Sequence, residues 1–162
     1  MKPAAHEFHI VTEWRIAAQI GEVATILTDP EHFADWWGDV YLAVTVLDRG
    51  NERGVGGRVA VHSKGWLPYH LHWTGTMVAA DLPHSWQIEA TGDLTGRGAW
   101  RLEQQGEMAR VMYDWRVSAD RPLFRLLSPL LWPVFAWNHR WAMARGAAGL
   151  AREVLRRRQA AA

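Results

Sequence analysis

Residues 7–16 alternate with a period of two. Phe8, Ile10, Trp14 and Ile16 share one face with Thr12, while His9, Glu13 and Arg15 share the other with Val11. That alternation predicts a half-buried β-strand. The period then changes. Ile20, Val23, Ala24 and Leu27 recur at helical spacing, which predicts a short helix over 19–27. Thr28-Asp29-Pro30 stops it, and Pro30 suits the first turn of a second helix that runs through Trp36 and ends at Gly38. Beyond Gly38 the pattern is strand and turn, with strands predicted over 40–48, 57–64, 69–80, 85–91, 95–104 and 109–118. The turn signals between them include Gly50-Asn51-Glu52-Arg53-Gly54, Asp81-Leu82-Pro83, Gly92-Asp93 and Gln105-Gly106. Short links between successive strands predict an antiparallel meander.

Asp120-Arg121-Pro122 ends the last strand. A helical region follows to about Arg158, with a break expected near Pro129 and Pro133. Leu131, Phe135, Asn138, Ala142, Gly149 and Leu150 fall roughly on one stripe of it, and Arg156-Arg157-Arg158 reads as a solvated end that suits the helix dipole. The predicted order is strand, two short helices, six strands, long helix. The long helix must bury its stripe, and the concave face of the sheet is the apolar surface large enough to receive it. The fold class is α+β: a seven-stranded curved antiparallel sheet around a long C-terminal helix.

Composition changes this picture at one point. Of 162 residues, 11 are tryptophan, each bringing a large flat apolar ring and one N–H donor. Alternation sends one tryptophan from each of five strands to the apolar face: Trp14, Trp73, Trp86, Trp100 and Trp115. Tyr69 and Tyr113 lie on the same side, and the helix adds Phe135, Asn138 and Trp141, with Trp137 as a further possibility. Two readings stay open: the rings fill the interior, or they line a mostly apolar pocket carrying a few polar groups. Thr12, Tyr69, Tyr113 and Asn138 are the candidate polar groups. Asn138 either ties the helix to the sheet or faces a ligand, because an amide inside an apolar stripe needs a partner.

The remaining features narrow the chemistry. A formal charge of +1 leaves no footprint for nucleic acid, and the absence of cysteine excludes disulfides and thiolate sites. No secretory signal is read at the N-terminus, and the greasy stretch Leu123 to Trp137 is too short to span a bilayer. The expected compartment is the cytoplasm. His62, His70 and His72 invite a metal reading, but alternation places them on the outer face, so they read as a solvated cluster, with an incidental surface metal site as the alternative and no metal centre expected. Gly54-Val55-Gly56-Gly57 and Gly96-Arg97-Gly98 open no helix after a strand and fail as phosphate loops. Arg97, Arg101 and Arg116 are expected to pair with Glu89, Glu103 and Asp114 across strands. The weak catalytic candidates are Tyr113, Asn138 and His139, with His139 expected off the centre of the buried stripe. The apolar stretch Leu126 to Trp132 is expected to pack over the sheet mouth, with contact to a membrane surface as the alternative.

Three strings carry a family resemblance: Ile26-Leu27-Thr28-Asp29-Pro30-Glu31-His32-Phe33-Ala34-Asp35-Trp36-Trp37, Tyr113-Asp114-Trp115, and Trp137-Asn138-His139-Arg140-Trp141-Ala142-Met143. With the order of elements, they make the chain resemble the START-like, Bet v 1-like helix-grip superfamily, nearest the bacterial SRPBCC proteins described as polyketide cyclase/dehydrase-like. The resemblance covers almost the whole chain, read as one domain over 1–162. It implies a cavity between sheet and final helix and a small hydrophobic ligand of aromatic, polyketide or lipid character. The alternatives are a cyclase or dehydratase acting on such a ligand, and a membrane-surface or partner-binding module. No cofactor, nucleic-acid partner or stable membrane insertion is expected, and the protein is expected to be a monomer or homodimer.

Overall fold

The computed structural model describes residues 7–119 and 122–162, with side chains for 7–118 and 130–162. The elements are β1 (Glu7–Ile16), α1 (Ile20–Leu27), a 3-10 turn (Pro30–His32), α2 (Phe33–Trp36), β2 (Tyr41–Asp48), β3 (Arg58–Lys64), β4 (His70–Asp81), β5 (Ser85–Gly92), β6 (Leu94–Gln105), β7 (Met108–Ala119) and α3 (Pro122–Ala161). Each predicted strand is present within a residue or two of its expected ends. The sheet order is β1-β7-β6-β5-β4-β3-β2 and every pairing is antiparallel. Strands β2 to β7 form the meander, and β1 returns to pair with β7 from Glu7↔Ser118 to Ile16↔Ala109.

The expected break in the final helix is absent. Helix α3 runs from Pro122 to Ala161 through both prolines. Pro133 lies on the exposed side of the helix, where water can bond the carbonyl that its missing N–H leaves unpaired. Two glycines let the second half of α3 settle onto the interior. A Cβ at Gly146 would stand 2.5 Å from the Trp37 ring and 3.0 Å from Trp14, and a Cβ at Gly149 would strike the Trp36 carbonyl. Trp37 then donates its indole N–H to the Ala142 carbonyl at 2.9 Å, joining the end of α2 to the middle of α3.

The C-terminal arginines are not simply solvated. Arg156 and Arg157 both bond the buried carboxylate of Glu153, Arg157 also reaches Asp29 at 3.2 Å, and Arg158 reaches Glu22 at 2.7 Å. An ionic clasp thereby holds the helix end to α1 and to the turn after it. On the outer sheet face, Asp114 takes Arg116 at 3.2 Å, as expected for that pair, but from the same strand. Glu103 pairs with Arg110 at 3.3 Å.

Candidate functional site

All five strand tryptophans are buried on the inner face, as alternation predicts. Their rings do not close the interior. A cavity of about 160 Å³ lies between α3 and the sheet, and a second of about 200 Å³ lies beneath the β2–β3 hairpin. For scale, an apolar void of about 150 Å³ accepts a benzene ring. Tyr41, Trp73 and Tyr113 line both spaces and form the partition between them.

The helix-side cavity carries Tyr69, Trp73, Tyr113, Trp115, Phe135, Asn138 and His139 from the predicted set. Trp86 and Trp100 line the hairpin-side cavity. Four candidates line neither space. Trp14 packs edge-on against Trp37 at 5.6 Å and beneath Gly146, at the closed end of the grip. Thr12 is half-buried in β1, opposite Tyr113. Trp141 lies to one side of α3 with the Arg145 guanidinium 5.3 Å from its ring centre. Trp137 points outward and meets Trp66 edge-to-face at 4.9 Å.

The polar groups of the helix-side cavity have distinct jobs. The Asn138 side-chain carbonyl accepts the Leu67 N–H at 3.1 Å, and its amide lies so close to Gly65 that no Cβ fits there. Asn138 therefore ties the β3–β4 loop to α3 while lining the cavity. The Ser63 hydroxyl accepts the Trp73 indole N–H at 3.0 Å and fixes that ring in the partition. Tyr113 stacks on Trp100 at 4.0 Å, and its hydroxyl lies over Gly98, where a Cβ would come within 2.5 Å of it. Desolvation raises the Tyr41 and Tyr113 hydroxyls above the ordinary tyrosine range, and for Tyr113 the nearness of Tyr41 adds to the effect. Both phenols stay protonated and able to donate.

His139 departs from its expected place. It lines the helix-side cavity, its Nε2 is buried without a hydrogen-bond partner, and burial lowers its pKa to about 4. The imidazole is neutral at ordinary pH and is a weak base. Tyr41 is a lining residue that the sequence pattern does not reveal. A β-bulge between Tyr41 and Ala43 shifts the alternation of β2 and turns Tyr41 inward together with Val44 and Val46. Toward the open side, Leu130 is 80% exposed, and Trp66, Trp132, Val134 and Trp137 are exposed with it. The expected apolar stretch is thus seen at Leu130 and Trp132, while the side chains of Leu126 to Pro129 lie outside the described residues. Among the described residues, no helix is long and apolar enough to cross a membrane.

Residues 7–155 match the family model described as polyketide cyclase / dehydrase and lipid transport. The chain belongs to this family. Its fold is similar to a protein of Thermus thermophilus, with 20% identity, TM-score 0.73, and 91% of this chain and 97% of that one covered. A START superfamily protein from Mycobacterium smegmatis is similar at 14% identity and TM-score 0.70, covering 94% and 99%. The Zhui aromatase/cyclase from Streptomyces sp. R1128 is similar at 16% identity and TM-score 0.67, covering 96% and 98%. No curated protein sequence matches the chain. These likenesses show a shared fold, and a fold does not by itself fix a function.

Proposed function

We propose that this member of the polyketide cyclase/dehydrase and lipid transport family binds a small hydrophobic molecule, aromatic or polyketide- or lipid-like, between its sheet and α3. The observation that carries this reading is the helix-side cavity: aromatic walls around about 160 Å³ of space, with the buried Nε2 of His139 unpartnered in the lining. A buried polar nitrogen without a partner is costly, and a ligand hydroxyl or carbonyl beside His139 would satisfy it. Trp73, Trp115 and Phe135 supply the apolar contacts, and the protonated hydroxyls of Tyr113 and Tyr41 offer donors to a carbonyl. The reading takes 1–162 as one cytoplasmic ligand-binding domain, working as a monomer or homodimer.

The test is a tryptophan-fluorescence titration with two ligands of one shape, toluene and p-cresol. Both are expected to give saturable changes, with p-cresol the tighter. His139→Leu weakens p-cresol about tenfold, the worth of one hydrogen bond, and leaves toluene unchanged. No saturable change with either ligand overturns the reading.

A cyclase or dehydratase-like enzyme is the second reading, favoured by the phenols held protonated at the partition. In it the pocket folds and desolvates a reactive chain while Tyr113 and Asn138 orient a carbonyl. A histidine with a pKa of about 4 is poorly matched to general-base work at neutral pH, so this reading rests on hydrogen-bond donation. Tyr113→Phe is expected to depress turnover at least tenfold with a polyketone substrate, and an unchanged rate removes Tyr113 from the mechanism. The exposed group around Leu130 and Trp137 suits a third reading, a membrane-surface or partner-binding module.

A further inference from the structure

Outside the cavities, three imidazoles meet on the convex face of the sheet. His62 is the register partner of His72, and Lys64, two residues on, is the register partner of His70. One residue of β3 therefore stands beside two histidines of β4. The His62 Nε2 and His70 Nδ1 are 2.8 Å apart, and the His62 ring stacks on the His72 ring at 4.3 Å between centroids. Ala43, Thr45, Ala60, Thr74 and Thr91 are short side chains on the same face, and they leave a shallow open groove beside His62 and His72.

We infer that His62 and His70, backed by His72, form a surface site for a divalent transition-metal ion of the kind that imidazole prefers, such as Cu²⁺, Ni²⁺ or Zn²⁺. Two imidazole nitrogens on one tetrahedral ion, each about 2.0–2.1 Å from the metal, stand about 3.3 Å apart. The observed pair reaches that separation by opening about half an ångström, chiefly through a tilt of the exposed His70 ring against the half-buried His62. A metal needs neutral imidazoles. Water fills the outward positions, and the stacked His72 ring limits the freedom of His62. Ligands from both β3 and β4 make the ion a clip across two neighbouring strands. Val61, Ser63, Leu71 and Trp73 are the chain neighbours of these histidines and line the cavities on the other side of the same strands.

The site is separate from the group Asp29, Glu31 and His32, whose ligand atoms also converge. Those carboxylates already hold Arg157 and Arg49, and His32 bonds Asp29, so a cation there must displace existing partners.

The experiment is calorimetric titration of the whole protein with NiCl₂, CuCl₂ and ZnCl₂ at pH 7.5, beside His62→Ala, His70→Ala, His72→Ala and the remote control His9→Ala. The proposal expects one ion per chain, with copper tightest. His62→Ala and His70→Ala weaken binding at least tenfold, His72→Ala weakens it less, and His9→Ala leaves it unchanged. Saturating Ni²⁺ also raises the urea midpoint of the parent protein and leaves that of His62→Ala unmoved. The affected positions are exposed or half-buried, and a parent-like circular dichroism spectrum of each variant separates lost ligation from lost fold. Absence of one-to-one binding, or binding indifferent to His62→Ala and His70→Ala in folded variants, overturns the proposal.

Discussion

The two cavities share three aromatic side chains and differ in where their polar atoms lie. The helix-side cavity has polar groups within its lining: Ser63, Asn138, His139 and Tyr113. The hairpin-side cavity is lined inside by Val44, Val46, Val59, Val61, Met77 and Ile88, and its charges (Asp29, Glu31, Asp48, Arg49 and Arg58) stand toward solvent. Tyr113 is common to both spaces and Ser63 comes from β3, so the helix supplies the rest of the difference, Asn138 and His139. A strand lining an interior alternates and sends its polar residues outside. A helix pressed into a concave sheet presents a broad face that admits polar residues from its margins. The helix-side space is therefore equipped to orient a ligand, and the hairpin-side space to accept apolar bulk.

The largest test of that contrast removes the wall between them. Trp73→Ala deletes a ring common to both spaces together with its bond to Ser63, at an expected cost of about 3–5 kcal/mol in urea unfolding. Where the variant stays folded, it accepts two-ring ligands that the parent excludes. A ligand size limit unchanged by Trp73→Ala shows that the spaces already communicate. Next in size is Gly146→Val, which overfills the contact between α3 and Trp37 and is expected to cost about 1–3 kcal/mol, read from the same unfolding curves.

Asn138→Ala should cost about 1–2 kcal/mol, because the Leu67 N–H loses its acceptor. Its particular signature is faster hydrogen exchange at Leu67 with no change around the β2–β3 hairpin. Equal changes in both places break the assignment of separate roles.

Acid provides a finer test. Hydrogen bonds from Arg158 and from the Gln19 N–H hold Glu22 down to about 2, and Arg156 and then Arg157 do the same for Glu153. Their folded values lie below the ordinary 4.5, so this stability is present above 4.5 and is lost as pH falls toward 2. Burial holds His139 at about 4 against an ordinary 6.5, so its contribution fades earlier, between 6.5 and 4. Thermal midpoints should therefore fall in two stages. Glu153→Gln flattens the lower stage, and His139→Leu flattens the upper one. The smallest effect is expected at the hairpin-side rim. Glu31→Gln breaks an exposed pair with Arg49 and should shift stability by less than about 0.5 kcal/mol in urea unfolding.

The strands are legible in the sequence because one face of each is buried, and a period of two follows directly from that. The same reasoning assigns Trp73, Trp86, Trp100 and Trp115 to the cavity walls and His62, His70 and His72 to the outside. It fails at Tyr41, where the bulge inserts a residue and reverses the phase of β2. It fails at His139 for a different reason. A single helical stripe leaves His139 at its margin, but the curved sheet embraces a wider arc of α3. The available signal is spacing: Phe135, His139 and Met143 are four residues apart, and all three line the cavity. Trp14 shows the reverse error. Its face is right, but no pattern within one strand reveals that a glycine on a distant helix, Gly146, closes over that ring.

Helix α3 is held unevenly along its length. Gly146, Gly149, Leu150, Glu153 and Val154 are buried, and the arginine clasp lies beyond them, whereas Leu130 stands 80% exposed at the other end of the described portion. Mechanically this is a beam clamped at one end and held along the rest by lighter ties, such as the Asn138 bond to Leu67 and the Phe135 contact with Phe8. From Gly149 back to Leu130 a helix spans about 28 Å, so a tilt of about 5° at the clamp swings the tip by about 2.5 Å. The helix-side cavity lies under the more lightly held arm and the hairpin-side cavity does not. A small change of angle where α3 meets Trp36 and Trp37 is thus geared into a large change of clearance over Phe135, Asn138 and His139.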